Sequence, residues 1–229
     1  MTESLFPDTN VVVLLFDTET TGAEIPEIIE AAWVQLDNPE NLTVLDSFEQ
    51  RYQPDMPIRL GALATHHIYD EELADCPPSA SFRLPDDVAY LIGHNVDYDW
   101  QAAGSPDVRR ICTLALARHI YPDLDSHSQS ALLYHTHRVQ AREWLKHAHS
   151  AMADVRNCRH NLQALLAHCP NVQTWEDLWK LSEIARIPTR MPFGKHRGQP
   201  IADVPADYKS WLLRQDDVDP YLVKALRGT

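Results

Sequence analysis

Positive charge is scarce in this sequence: 20 Lys and Arg stand against 33 Asp and Glu over 229 residues, a formal net charge of −13. That deficit excludes an extended basic surface that grips nucleic acid by counterion release alone. Long apolar runs are missing as well. The longest, Val11 to Phe16, has six residues, whereas a helix that crosses a bilayer needs roughly 20. Met1-Thr2-Glu3-Ser4 has no basic start, and no long apolar core follows it. These features predict a cytoplasmic protein with no secretory signal and no membrane partner. The four cysteines, Cys76, Cys112, Cys158 and Cys169, are too far apart in sequence for a zinc knuckle and predict free thiols. Seven Gly and 16 Pro without a repeat exclude collagen-like and low-complexity chains.

What is present has an uneven layout. Val11 to Phe16 is a short, fully apolar, β-branched-rich run, the pattern of a strand buried on both faces. Ile28 to Leu36 and Leu42 to Tyr52 predict two more strands, with Asn38-Pro39 as the turn between them. Val88 to Gly93 and Arg110 to Cys112 predict further strands. Helical spacing marks Pro57–Leu73 (interrupted), Asp97–Ala103, Leu114–Ile120, Ser128–Tyr134, Ala151–His168, Trp175–Arg186 and Tyr208–Leu213. Strands first, then strands alternating with helices, predict an α/β fold in which helices cover a mixed sheet. Residues 186–229 hold eight Lys and Arg against five Asp and Glu, a net +3, while the first 185 residues carry −16. The expected organisation is a main domain over 8–170, a helical linker over 171–188 and a small basic C-terminal module over 189–229.

Three acidic clusters carry the chemistry. Asp17 and Glu19 lie two apart where the first apolar strand ends, so in extended chain both carboxylates face one way. A capping Asp beside a surface Glu would give the same pattern. Two acids crowded at a buried strand end are otherwise explained by a cation between them or by protonation. His94-Asn95-Val96-Asp97-Tyr98-Asp99 follows the next apolar strand, and either aspartate could join the first pair. His149-Ser150-Ala151-Met152-Ala153-Asp154 opens the long amphipathic helix, with His147 a second histidine just before it. Several acids and one His favour Mg²⁺ or Mn²⁺ over zinc. Two such cations about 4 Å apart suit in-line displacement at a phosphodiester, with the His taking a proton from water.

In this order, Phe16-Asp17-Thr18-Glu19-Thr20-Thr21-Gly22, His94–Asp99 and His149–Asp154 resemble the three motifs of the DEDDh (DnaQ-like) 3′→5′ exonucleases. The resemblance implies a ribonuclease H-like fold with a five-stranded mixed sheet. It implies two Mg²⁺ ions, replaceable by Mn²⁺, on Asp17, Glu19, Asp99 and Asp154, with His149 as general base. It selects Asp99 over Asp97 because the family's acid follows the aromatic residue, here Tyr98, and it selects His149 over His147. Substrate contacts are implied at Thr18, Thr20, Gly22, Ala23, Ile25, His66 and Asn95, with a packing role as the alternative for His66. Ile111–Pro122 and the tail Phe193-Gly194-Lys195-His196-Arg197-Gly198 with Trp211-Leu212 are similar to the exodeoxyribonuclease X branch of the family. That likeness implies DNA 3′ ends as substrate, 5′-mononucleotides as products and a place in DNA repair. An exoribonuclease of the same family acting on RNA, and a non-catalytic nucleic-acid-binding module, are the rivals. A homodimer is compatible with all three.

Overall fold

The computed structural model describes residues 11–22 and 26–228, apart from the side chain of His147; the expected domain start at residue 8 and the residues read as lacking a signal lie outside this set. Five strands, β1 (Val12–Thr20), β2 (Ile28–Leu36), β3 (Val44–Arg51), β4 (Val88–Gly93) and β5 (Arg109–Cys112), form one sheet in the order β3-β2-β1-β4-β5. β1 and β2 are antiparallel, as are β2 and β3, while β4 runs parallel to both β1 and β5. The sheet is mixed and five-stranded, as expected. The helices are α1 (Leu60–His66), α2 (Asp97–Ala102), α3 (Thr113–Ile120), α4 (Gln129–Thr136), α5 (Arg138–Trp144), α6 (Ala151–Leu166), α7 (Trp175–Ala185), α8 (Ala206–Leu212) and α9 (Pro220–Arg227).

The central strand explains its own composition. Successive side chains of β1 point to opposite faces, and both faces are covered. Val13 and Leu15 join Val155, Leu162 and Leu165 of α6 in one core, while Leu14 and Phe16 join Leu91, Val96 and Phe82 in the other. Phe16 stacks on Phe82 with ring centroids 5.8 Å apart. Each such buried side chain contributes roughly 1.5–3 kcal/mol, which anchors β1 before any acid is placed on it. The strand continues past Phe16 to Thr20, so Asp17 and Glu19 belong to the strand itself.

Two packing features bear on the expected organisation. The helix expected as a linker, α7, is part of the main core: Trp175 and Leu178 are buried with the α6 face, and Trp175 Nε1 donates to the Asp37 carbonyl at 3.2 Å. The C-terminal segment has a small core of its own, in which Met191, Ile201, Val204, Leu212, Leu222 and Leu226 are buried.

The C-terminal segment is fastened to the sheet side by polar contacts. Tyr221 donates to Glu183 at 2.8 Å, and its ring lies under the Arg186 guanidinium at 5.1 Å. Arg186, with a side chain only 4% exposed, donates to Asp97 at 2.8 Å, and Arg110 also donates to that carboxylate. Asp97 is 41% exposed and keeps Arg110, so removal of the enclosed Arg186 side chain costs its packing and its share of the ion pair. Arg186→Ala is therefore expected to cost about 1–3 kcal/mol in urea unfolding. An unchanged midpoint would show that Arg110 alone satisfies Asp97.

Candidate active site

β1 supplies Asp17 and Glu19, α2 supplies Asp99 and the first turn of α6 supplies Asp154. The start of α6 is held against the sheet by Glu30 of β2, which lies opposite Glu19 in register and is 3% exposed. Glu30 accepts from the Ala151 N–H at 2.8 Å and pairs with Arg51 at 3.0 Å. A carboxylate at a helix N-terminus meets an otherwise unpaired backbone donor and the positive end of the dipole. Ser150 caps the same turn through its Oγ, which accepts from the Ala153 N–H. The result is that Asp17, Glu19 and Asp154 each offer a carboxylate oxygen within 4.8 Å of the other two.

Asp99 is buried, and its Oδ1 accepts from both the N–H (3.0 Å) and the hydroxyl (2.8 Å) of Thr18. Asp97, on the same short helix, is turned to Arg110 and Arg186 instead. Asp154 is held at both oxygens: Gln129 Nε2 donates to Oδ1 at 3.1 Å, Asn157 Nδ2 at 3.4 Å, and the His149 N–H donates to Oδ2 at 3.0 Å. His149 itself is exposed, on the turn before α6, with φ at 69°. Its backbone is tied to the acidic cluster and its ring is left to solvent.

The electrostatics leave two remedies, protonation or a counter-charge. Burial, followed by the charges of Asp99, Asp154 and Glu19, holds the Asp17 carboxyl well above its ordinary range. Burial, then Asp154 and Glu30, pushes Glu19 up to about 8. Asp99 rises to about 7, mainly through burial, with the Thr18 hydrogen bonds opposing the shift. No Lys or Arg ion pair reaches Asp17, Glu19, Asp99 or Asp154 among the described residues. Four carboxyl groups with oxygen ligands only, crowded and lacking a basic partner, fit a hard divalent cation.

A pH prediction follows. In the metal-free protein the folded state binds more protons than the unfolded chain wherever carboxyl pKa values are raised, so stability falls as pH rises through them. His94 acts in the opposite sense below pH 6.5: burial lowers it to about 4, and its ring is spent on Thr113 and the His127 carbonyl. Between roughly pH 6.5 and 8 the carboxyl groups dominate. With EDTA, unfolding free energy is expected to drop by on the order of 2 kcal/mol across that window, less in Glu19→Gln, and divalent metal should restore it. A flat profile in urea titrations would contradict the charge assignment.

The other implied contact residues are dispersed around this cluster. The Thr20 hydroxyl hydrogen-bonds Tyr98 at 2.6 Å, joining β1 to α2 a second time. Gly22 adopts φ 136°, and a Cβ there would sit 2.9 Å from the Arg59 side chain, so only glycine is accommodated. Asn95 is exposed with φ 68°, and its carbonyl accepts from the Tyr98 N–H. His66 is buried, its Nδ1 accepting from the Ile68 N–H at 3.0 Å, and burial lowers its pKa. Ala23 and Ile25 lie outside the described residues. Glu30, Gln129 and Asn157, which position Asp154 and the start of its helix, were not singled out from the sequence. Their only sequence signal is a polar residue on an otherwise core-facing position, and that became informative once partners were known.

The pattern of the family described as Exonuclease (RNase_T) matches residues 14–160, and that described as putative quorum-sensing-regulated virulence factor matches 179–220. Exodeoxyribonuclease 10 of Escherichia coli K12 is 29% identical over 227 residues, covering 93% of this chain and 96% of the relative. Among solved structures, exonuclease X in complex with 5′-overhanging duplex DNA superposes with a TM-score of 0.57 at 23% identity, over 72% of this chain and 99% of that one. E. coli exonuclease I in complex with a dT13 oligonucleotide superposes at 0.55 and 18% identity, over 70% of this chain and 42% of that one.

Proposed function

The chain belongs to the RNase_T exonuclease family, in its DEDDh (DnaQ-like) group, and on that premise we propose that it is a Mg²⁺-dependent 3′→5′ exodeoxyribonuclease. It removes 5′-mononucleotides from DNA 3′ ends. The observation that carries this reading is the convergence of Asp17, Glu19 and Asp154 to within 4.8 Å, beside the turn that bears His149. DNA is favoured over RNA by likeness to an exodeoxyribonuclease along nearly the whole chain.

In this mechanism Asp17, Glu19 and Asp154 would hold one Mg²⁺, and Asp99 would complete the shell of a second; Mn²⁺ satisfies the same oxygen set. When bound, the cations make the attacking water more acidic and offset the charge that develops on the leaving oxygen. The protein's own groups do the rest. Thr18 fixes Asp99 with two donors, while Gln129 and Asn157 fix Asp154, so the acids are aimed before substrate arrives. The exposed His149 ring accepts a proton from the water that attacks the terminal phosphodiester. Gly22, Thr20 and Asn95 border the end of β1 and the start of α2, where the terminal nucleotide is placed.

The test is digestion of 5′-labelled DNA and RNA oligonucleotides of one sequence, with Mg²⁺ or with EDTA. A Mg²⁺-dependent ladder that shortens DNA from its 3′ end is expected. Preferential shortening of RNA would keep the site and overturn the substrate. Inertness towards both would overturn the proposal.

A further inference from the structure

The C-terminal segment presents a surface that the acidic site does not use. The turn Pro192–Gly198 lies on α8 through one residue, Tyr208. Lys195 Nζ sits 4.9 Å above the Tyr208 ring, the His196 ring meets it edge-on at 4.6 Å, and the Trp211 ring follows at 5.4 Å. Gly194 makes this approach sterically allowed: its φ is 73°, and a Cβ there would lie 2.6 Å from the Tyr208 hydroxyl. At the two ends of this arrangement, Phe193 and Trp211 remain 45% and 47% exposed. Neither ring belongs to the small core beneath, which Met191, Ile201, Leu212 and Leu222 fill, and Trp211 is held in place by Tyr208.

Charge points the same way. Among the described residues, Lys195, Arg197 and Arg214 have no carboxylate within ion-pair distance, and Asp207 spends Oδ1 on the Tyr208 N–H. The segment is net positive on a protein that is otherwise −16. A lysine seated on an aromatic ring, with exposed rings and further cations that lack carboxylate partners in the same segment, matches a strand that offers phosphates and unstacked bases by turns. An apolar protein partner would match the rings but not the unpaired cations.

We propose that the Phe193–Lys195–Trp211 face is a binding site for single-stranded nucleic acid, which holds the substrate strand away from its cleaved 3′ end. The bases stack on Trp211 and Phe193, and Lys195 and Arg197 meet the phosphates. This rests on the exonuclease reading for the identity of the strand, though not for the chemistry of the face. It also answers the charge deficit: the acidic body does not need to attract the strand if an appended module does.

The experiment uses the full chain with Mg²⁺ and two substrates, a 5′-labelled single strand of about 30 nucleotides, longer than one such site spans, and the p-nitrophenyl ester of thymidine 5′-monophosphate. Lys195→Glu/Trp211→Ala is expected to raise KM for the long strand ~tenfold and to leave hydrolysis of the ester unchanged. Lys195→Ala/Arg197→Ala, which alters only exposed turn residues, guards against misfolding and should lower the salt dependence of log KM by ~1.4. Equal KM and equal salt dependence in an enzyme that degrades the long strand overturn the proposal. A wild-type protein that cleaves neither substrate overturns the exonuclease reading instead. Anisotropy of the labelled strand in EDTA then decides the face alone: weaker binding by the variants supports it, and equal binding overturns it.

Discussion

Asp17→Asn is expected to abolish nuclease turnover, by at least about 10³-fold, while making the metal-free protein more stable than wild type. The two effects have one cause. Asp17 is the carboxyl on which burial and four like charges converge, from Asp99, Asp154, Glu19 and Glu30. An amide of nearly the same shape removes that repulsion and keeps the packing of β1. It also removes an anionic ligand from the three-carboxylate group, so cation affinity should fall along with activity. Thermal melts in EDTA and in excess Mg²⁺ separate the contributions. Wild type should gain several degrees on adding Mg²⁺, and Asp17→Asn should start higher and gain little. A variant that is both inactive and less stable in EDTA would mean that Asp17 serves the fold rather than the metal. Full turnover would remove the metal-site proposal altogether.

How this arrangement could be foreseen depends on where its information is stored. The six-residue apolar run and the acid pairs are local, so the central strand, the motifs and the helix bearing Asp154 were legible directly. The choice of Asp99 over Asp97 was not local. Both are carboxylates on one short helix, and what separates them is Thr18, 81 residues away on one side, and Arg186, 89 residues away on the other. Only the likeness to a family pointed to Asp99 before the fold was known. The helix α5 escaped because its periodicity misleads: Val139 is 83% exposed while Ala141 is fully buried. The helix α9, by contrast, carried readable signals that went unused. Asp219 caps it by accepting from the Tyr221 and Leu222 N–H groups, Pro220 opens it and Gly228 closes it with φ 73°. The packing of α7 into the core was hidden for a different reason, since amphipathic spacing tells that a face is buried but not against what.

His149→Ala is expected to lower kcat by about 10²–10⁴-fold without weakening Mg²⁺ stabilisation in thermal melts. The geometry separates this outcome from the Asp17 case. His149 contributes to the acidic cluster through its backbone, whose N–H donates to Asp154 Oδ2 at 3.0 Å, and that bond survives truncation of the ring. Asp154 also keeps Gln129 and Asn157 as donors. What is lost is the exposed imidazole, the only part of the residue able to accept a proton at neutral pH. The backbone at φ 69° is tolerated by histidine at some cost, and alanine keeps that strain, so stability should change little. If the ring accepts the proton, added imidazole should restore part of the rate. If the residue merely holds the turn in place, truncation should raise KM or shift the Mg²⁺ dependence, and imidazole should restore nothing. A drop in kcat together with a loss of Mg²⁺-induced stabilisation would show that the turn, not the ring, is what the site needs, and would remove His149 from the proton transfer.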